Sequence, residues 1–141
     1  MTDLPNTHTG NIFRLGLEPL EGDILDAEAF LAGPGVRASR VARDLGEAAI
    51  SEGRMTISPQ YQNLELPDCD RPVSFRLGNE TYDILEDESR KVGIEAPTLL
   101  RVILRKEILE HARNTPGIYR LVGYRRSYQA RKAFELANPK A

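Results

Sequence analysis

The 141-residue chain has no tryptophan, one cysteine and two histidines, and each scarcity removes a class of function. A lone Cys69 cannot build an internal disulfide framework and suits a reducing compartment, so a cytoplasmic protein is expected. Cys69, His8 and His111 stand far apart without metal-ligand spacing, so no metal and no other cofactor is expected. There is no phosphate-cradling glycine loop, no nucleophile elbow, and no arrangement about Cys69 that supports nucleophilic catalysis. Acids are plentiful, but Glu86, Asp87 and Glu88 read as a solvated helix face. No catalytic residue is assigned, and a non-enzyme is expected. No apolar run reaches the roughly 20 residues of a membrane-spanning helix. The opening "MTDLPNTHTGNIF" lacks the basic region and apolar core of an export signal.

The net charge of −2 is small, but it is unevenly placed. Up to His111, 12 Lys/Arg stand against 20 Asp/Glu (net −8); from Ala112 onward, 7 stand against 1 (net +6). The stretch that organises the chain, Pro72–Ala112, closes the acidic region. Val73, Phe75 and Leu77 alternate with Ser74 and Arg76, the period-2 signature of a half-buried strand. Gly78-Asn79 then offers a turn and cap, and Glu80, Asp83 and Glu86 place acids in the opening turns of a helix, where its dipole favours them. Tyr82, Leu85, Ser89 and Val92 recur at helical spacing. Gly93 breaks that helix, Pro97 suits the first turn of the next, and Leu99, Leu100, Ile103 and Ile108 continue it.

Strand, helix, turn and helix in this order resemble the ribbon–helix–helix DNA-binding family of β-ribbon readers. In "VSFRLGNETYDILEDESRKVGI", Leu85 and Ser89 match the family's helix-one positions, Gly93-Ile94 its turn, and Arg101 an arginine early in helix two. Glu95 stands where the family has a turn serine, and Pro97 removes a backbone N–H. The family's phosphate contact is therefore weakened in this stretch.

Residues 12–54 read as an earlier copy. "IFRLGLEPLEGDIL" parallels "VSFRLGNETYDIL" at an offset of 62, which drifts to 58 by helix two, where Arg43 aligns with Arg101 and Val36 with Ile94. About four extra residues are expected across helix one and its turn. Phe13 and Leu15 alternate with Arg14 and Gly16. Leu20, Ile24, Ala27 and Leu31 mark helix one, and Ala38, Val41, Ala42, Leu45 and Ala49 mark helix two. One unit alone leaves its strand unpaired, and the family answers this by dimerising. Two copies in tandem imply a pseudo-dimer in one chain, mostly α with a short two-stranded antiparallel β-ribbon. The expected organisation is a flexible N-terminus (1–11), copy 1 (12–54), a linker (55–71), copy 2 (72–112) and a basic C-terminal extension (113–141). In that extension Tyr128, Ala130, Phe134 and Leu136 form the face expected to pack back.

The resemblance implies that the outer face of the ribbon, with Ile12, Arg14, Ser74 and Arg76, contacts bases in the major groove. By the offset of 62 the two arginines occupy one strand position in both copies. Phosphate contacts are expected from the starts of the second helices, Arg37, Ser39 and Arg40 in copy 1 and Thr98 in copy 2. Arg120, Arg125 and Arg126 in the aromatic-rich extension are expected to add others. The implied partner is double-stranded DNA and the implied role transcription regulation. A relaxosome-type accessory factor of plasmid or mobile-element transfer is an alternative. From another class comes an antitoxin-like or adaptor protein that grips a protein partner through the C-terminal extension. The chain is expected to stand as a monomeric pseudo-dimer, with higher assembly on DNA and no membrane contact.

Overall fold

Two strand–helix–helix units share one core. The computed structural model describes residues 6–56, 69 and 71–137, with the side chains of 130, 133, 134 and 137 excepted. Among these residues the order is β1 (Thr7–Thr9), β2 (Ile12–Leu17), α1 (Pro19–Ala32), α2 (Ala38–Ser51), β3 (Arg71–Arg76), α3 (Asn79–Val92), α4 (Ala96–Asn114) and α5 (Ile118–Ala137). The chain is mostly helical, with a small three-stranded antiparallel sheet in the order β1-β2-β3.

β2 and β3 pair within the chain, with Phe13 opposite Phe75, Arg14 opposite Ser74 and Ile12 opposite Arg76. Alternation sends Phe13, Leu15, Leu17, Val73, Phe75 and Leu77 into the core and leaves Ile12, Arg14, Ser74 and Arg76 outside. The helices roof the inner face. α4 lies deepest, burying Leu99, Leu100, Val102, Ile103, Leu104 and Ile108, as a helix apolar on nearly every side must.

Local chemistry sets the helix ends. Pro19 opens α1, and the Glu18 N–H donates to Glu21 Oε1 at 3.0 Å. Gly93 ends α3 in the left-handed region at φ 73°, with Arg90 and Lys91 in the last turn complementing the dipole.

Several expectations change. The N-terminal region is not wholly a flexible lead: Thr7–Thr9 pair with Ile12–Arg14 across the two-residue turn Gly10-Asn11, so the sheet has three strands rather than two. Gly10 takes φ 56° there, and the Asn11 side chain donates to Leu77 O at 2.5 Å, tying the hairpin to the end of β3. Most of the expected linker, 57–68 and 70, lies outside the described residues. Cys69, within the expected linker, is buried with its sulfur 4.0 Å from Arg101 Nη2. α4 runs past Ala112 to Asn114, and Ile118 and Val122 anchor α5 in the core. Tyr128 and Leu136, expected to pack back, are exposed; the side chains of Ala130 and Phe134 lie outside the described residues.

The offset between units is also revised. Equivalent helix caps are Glu18 and Gly78, then Gly33 and Gly93, both 60 apart, and Arg37 and Glu95, 58 apart. The first unit therefore carries two extra residues, both in its helix–helix turn, and none in helix one. The offset of 60 pairs buried Leu17 with Leu77 and Leu25 with Leu85. It also places Arg14 level with Ser74 and Arg76 level with Gly16. The shared Phe-Arg-Leu-Gly string had aligned the strands two residues out.

Candidate nucleic-acid interface

The outer face of the sheet carries two cross-strand rows, Thr7–Arg14–Ser74 and Thr9–Ile12–Arg76, all exposed. Arg14 and Arg76 take no hydrogen-bond or ion-pair partner among the described residues, so both guanidinium groups are available to a ligand. Gly16 falls on the same side but is buried: its N–H donates to Asn6 Oδ1 at 3.1 Å, and its carbonyl accepts from Arg101 Nε at 2.7 Å. The arginines therefore occupy unequal positions, Arg14 mid-ribbon and Arg76 at the end of β3.

Beside the free edge of β3, a cleft of about 800 Å³ opens against the start of α2. Arg37, Ser39, Arg71, Ser74 and Arg125 line it. A smaller neighbouring depression gathers Ser39, Arg40, Arg43, Ser74 and Arg76. Arg37 caps α2 in extended conformation, where the first-turn N–H groups lack partners inside the helix. Thus Arg37, Ser39 and Arg40 stand beside Ser74 and Arg76. Arg37 is unpaired among the described residues, and Arg40 has only a distant exposed partner, Asp44, at 4.0 Å. Arg71 forms the floor of the cleft in a two-bond pair with Asp26 at 2.7 and 2.9 Å. The hydrogen bonds that Arg71 donates to Asp26 raise the arginine's pKa and keep it protonated. Gly22 permits the arrangement, because a Cβ there would come within 2.8 Å of the Arg71 side chain.

The opposite edge differs. Thr98, the expected second anchor, is half-buried behind buried Ala96 and Pro97, and α4 packs against β1 and β2. β1 occupies the ground that the cleft leaves open on the other side. Sequence reasoning missed Thr7 and Thr9, although a Thr-His-Thr run before Gly10-Asn11 is a short strand and turn signal. It also missed Arg43 as a cleft neighbour.

The arginines of the extension separate. Arg125 lies over the Phe30 ring at 5.6 Å and enters the cleft. Arg126 is spent on an ion pair with Asp23. Arg120 is exposed and unpaired among the described residues, but it does not line the cleft. Arg101, by contrast, is 2 % exposed and pairs with wholly buried Glu21 at 2.6 and 2.8 Å. It holds the fold together and faces no ligand. No protein-family model, characterised protein or solved structure matches this chain.

Proposed function

We propose that this chain is a tandem ribbon–helix–helix pseudo-dimer that binds double-stranded DNA by laying the β2–β3 ribbon in the major groove, as a transcription regulator. The observation that carries the reading is the intrachain antiparallel pairing of β2 with β3, which sets unpaired Arg14 and Arg76 on one exposed face. A major groove about 12 Å wide admits such a ribbon. Arginine offers two parallel donors to guanine O6 and N7, serine can donate or accept, and Ile12 suits a thymine methyl. Arg37, Ser39, Arg40 and Arg125 then meet the phosphates along the β3 edge, where contacts fix position and carry no base information.

The third strand is a departure from a two-stranded reader. With strands about 4.8 Å apart, three span roughly 10 Å between their outer axes. β1 therefore reaches the groove wall rather than its floor, with the Thr7 and Thr9 hydroxyls toward phosphate. Anchoring in this reading is basic on one edge and neutral on the other, and the preferred site is an imperfect palindrome. An accessory factor at a DNA-transfer site would use the same surfaces; footprinting on DNA flanking the coding region separates the two roles.

The test is selection of preferred duplexes from a random pool, followed by titration at several salt concentrations. Binding to the selected duplex should exceed binding to random duplex, and both affinities should fall steeply with salt as phosphate contacts release counterions. Equal affinity for selected and random DNA would sink the base-reading claim.

A further inference from the structure

Beyond the cleft, a second groove of about 400 Å³ runs between α1 and α5, lined by Phe30, Leu121, Tyr124, Arg125, Tyr128 and Gln129. Its aromatic walls are open to solvent: Phe30 is 63 %, Tyr124 70 % and Tyr128 46 % exposed. From Gly123 onward no described side chain of α5 is buried. Beyond the Arg125–Phe30 and Arg126–Asp23 contacts, such a helix gains little stability from tertiary packing. Tyr124 and Tyr128, four residues apart, nevertheless share a face. Bases rim that face. Arg131 is unpaired among the described residues, and Lys132 lies over the Tyr128 ring at 5.8 Å. Phosphate binding accounts for the bases and leaves the aromatics unexplained.

The complementary surface is on α3. Ile84 is 40 % exposed there, ringed by Glu80 and Asp83 before it and Asp87 and Glu88 a turn after it. Asp87 pairs with Arg90 at 2.5 Å; Glu80, Asp83 and Glu88 have no partner among the described residues. α3 packs on α2 and α4, whereas α5 packs on α1 and α4, so the two surfaces lie on different sides of the fold. Joining two aromatic grooves would set arginines against arginines. A branched aliphatic side chain ringed by acids suits an aromatic groove ringed by bases in both shape and sign.

We propose that a second copy of this chain seats the acid-ringed Ile84 of its α3 in the aromatic groove between α1 and α5, so that copies join head to tail. The contact is heterologous: each copy keeps a free groove at one end and a free Ile84 at the other, and the assembly extends without closing. On DNA such a contact aligns neighbouring copies on successive sites.

Sedimentation velocity on the full chain without DNA tests this independently of the ribbon reading. At low salt the mean sedimentation coefficient should rise from micromolar to millimolar protein without a plateau at the dimer, and added salt should reduce the rise. Arg131→Glu with Lys132→Glu should abolish it, as should Asp83→Lys with Glu88→Lys, and all four changes in one chain should restore it. Where a charge reversal lowers the melting temperature, Ile84→Ser and Tyr124→Ser replace it, and each should also abolish the rise. A chain monomeric up to millimolar concentration overturns the proposal and leaves the groove to a different protein. A reversal without effect, or a fourfold variant that fails to associate, overturns it equally.

Discussion

The two strand–helix–helix units have the same elements and opposite chemistry at equivalent positions. In one, Arg101 of α4 is buried on Glu21 and the Gly16 carbonyl, and Arg105 reaches Glu18 at 3.1 Å. In the other, the equivalent Arg43 of α2 is exposed on Asp44 at 3.3 Å. Glu47, level with Arg105, accepts from the Gly78 N–H at 2.6 Å and from the Thr81 hydroxyl. Each second helix therefore secures the start of the other unit's first helix, once through arginine and once through glutamate. Identical chains in a symmetric dimer must make the same contact twice. A single chain is free of that constraint, and here one edge is closed by β1 and Pro97 while the other stays open and basic.

The sharpest way to break this comparison is through the buried pair. Arg101→Ala leaves the Glu21 charge buried without its partner and should cost about 3–5 kcal/mol, whereas Arg43→Ala, at the equivalent exposed site, should stay within about 0.5 kcal/mol. Urea unfolding measures both, and similar costs would show that the units are not divided in this way. Next come Phe13 and Phe75. They face one another across the ribbon, both buried, although their equivalents by position are Val73 and Leu15. Truncating either to Ala should cost about 3–5 kcal/mol, and below the concentrations at which copies associate the melting temperature of the wild-type chain should not depend on dilution, since strand pairing needs no second chain. An obligate dimer would melt lower on dilution.

Smaller effects sharpen the functional side. Arg14→Ala and Arg76→Ala should each weaken the selected duplex by about 1–3 kcal/mol with unchanged melting temperature, as read by anisotropy at fixed salt. The smallest effect expected separates the two edges. Arg37→Ala should weaken selected and random duplexes alike and lower the salt slope by about one, while Thr98→Ala should change neither. Deleting the extension from Thr115 would confuse this series, because it removes Ile118 and Val122 from the core. A chain ending at Gly123 spares both.

Periodicity and punctuation were enough to read most of the elements. Val73-Phe75-Leu77, the Gly93 break and Pro97 are local signals, and a local signal acts through the conformation of a few neighbouring residues. The same holds for the outward set Ile12, Arg14, Ser74 and Arg76, since alternation is a property of any strand. The offset between units was misread because the matching Phe-Arg-Leu-Gly strings are shifted by two, and a shift of two keeps every side chain on its own face. Only the helix caps reveal it.

What the sequence by itself determined about this protein is therefore the order of most of its elements, the faces of β2 and β3 and the asymmetry of its charge. Tertiary structure alone decided that Arg101 is a core residue and its counterpart Arg43 a surface one, that Cys69 is buried, and that β1 closes one edge while Arg37 and Arg125 meet at the other. The physical reason is range. Capping and periodicity act over a few residues, whereas the burial of a charge depends on a partner such as Glu21, 80 residues away in sequence.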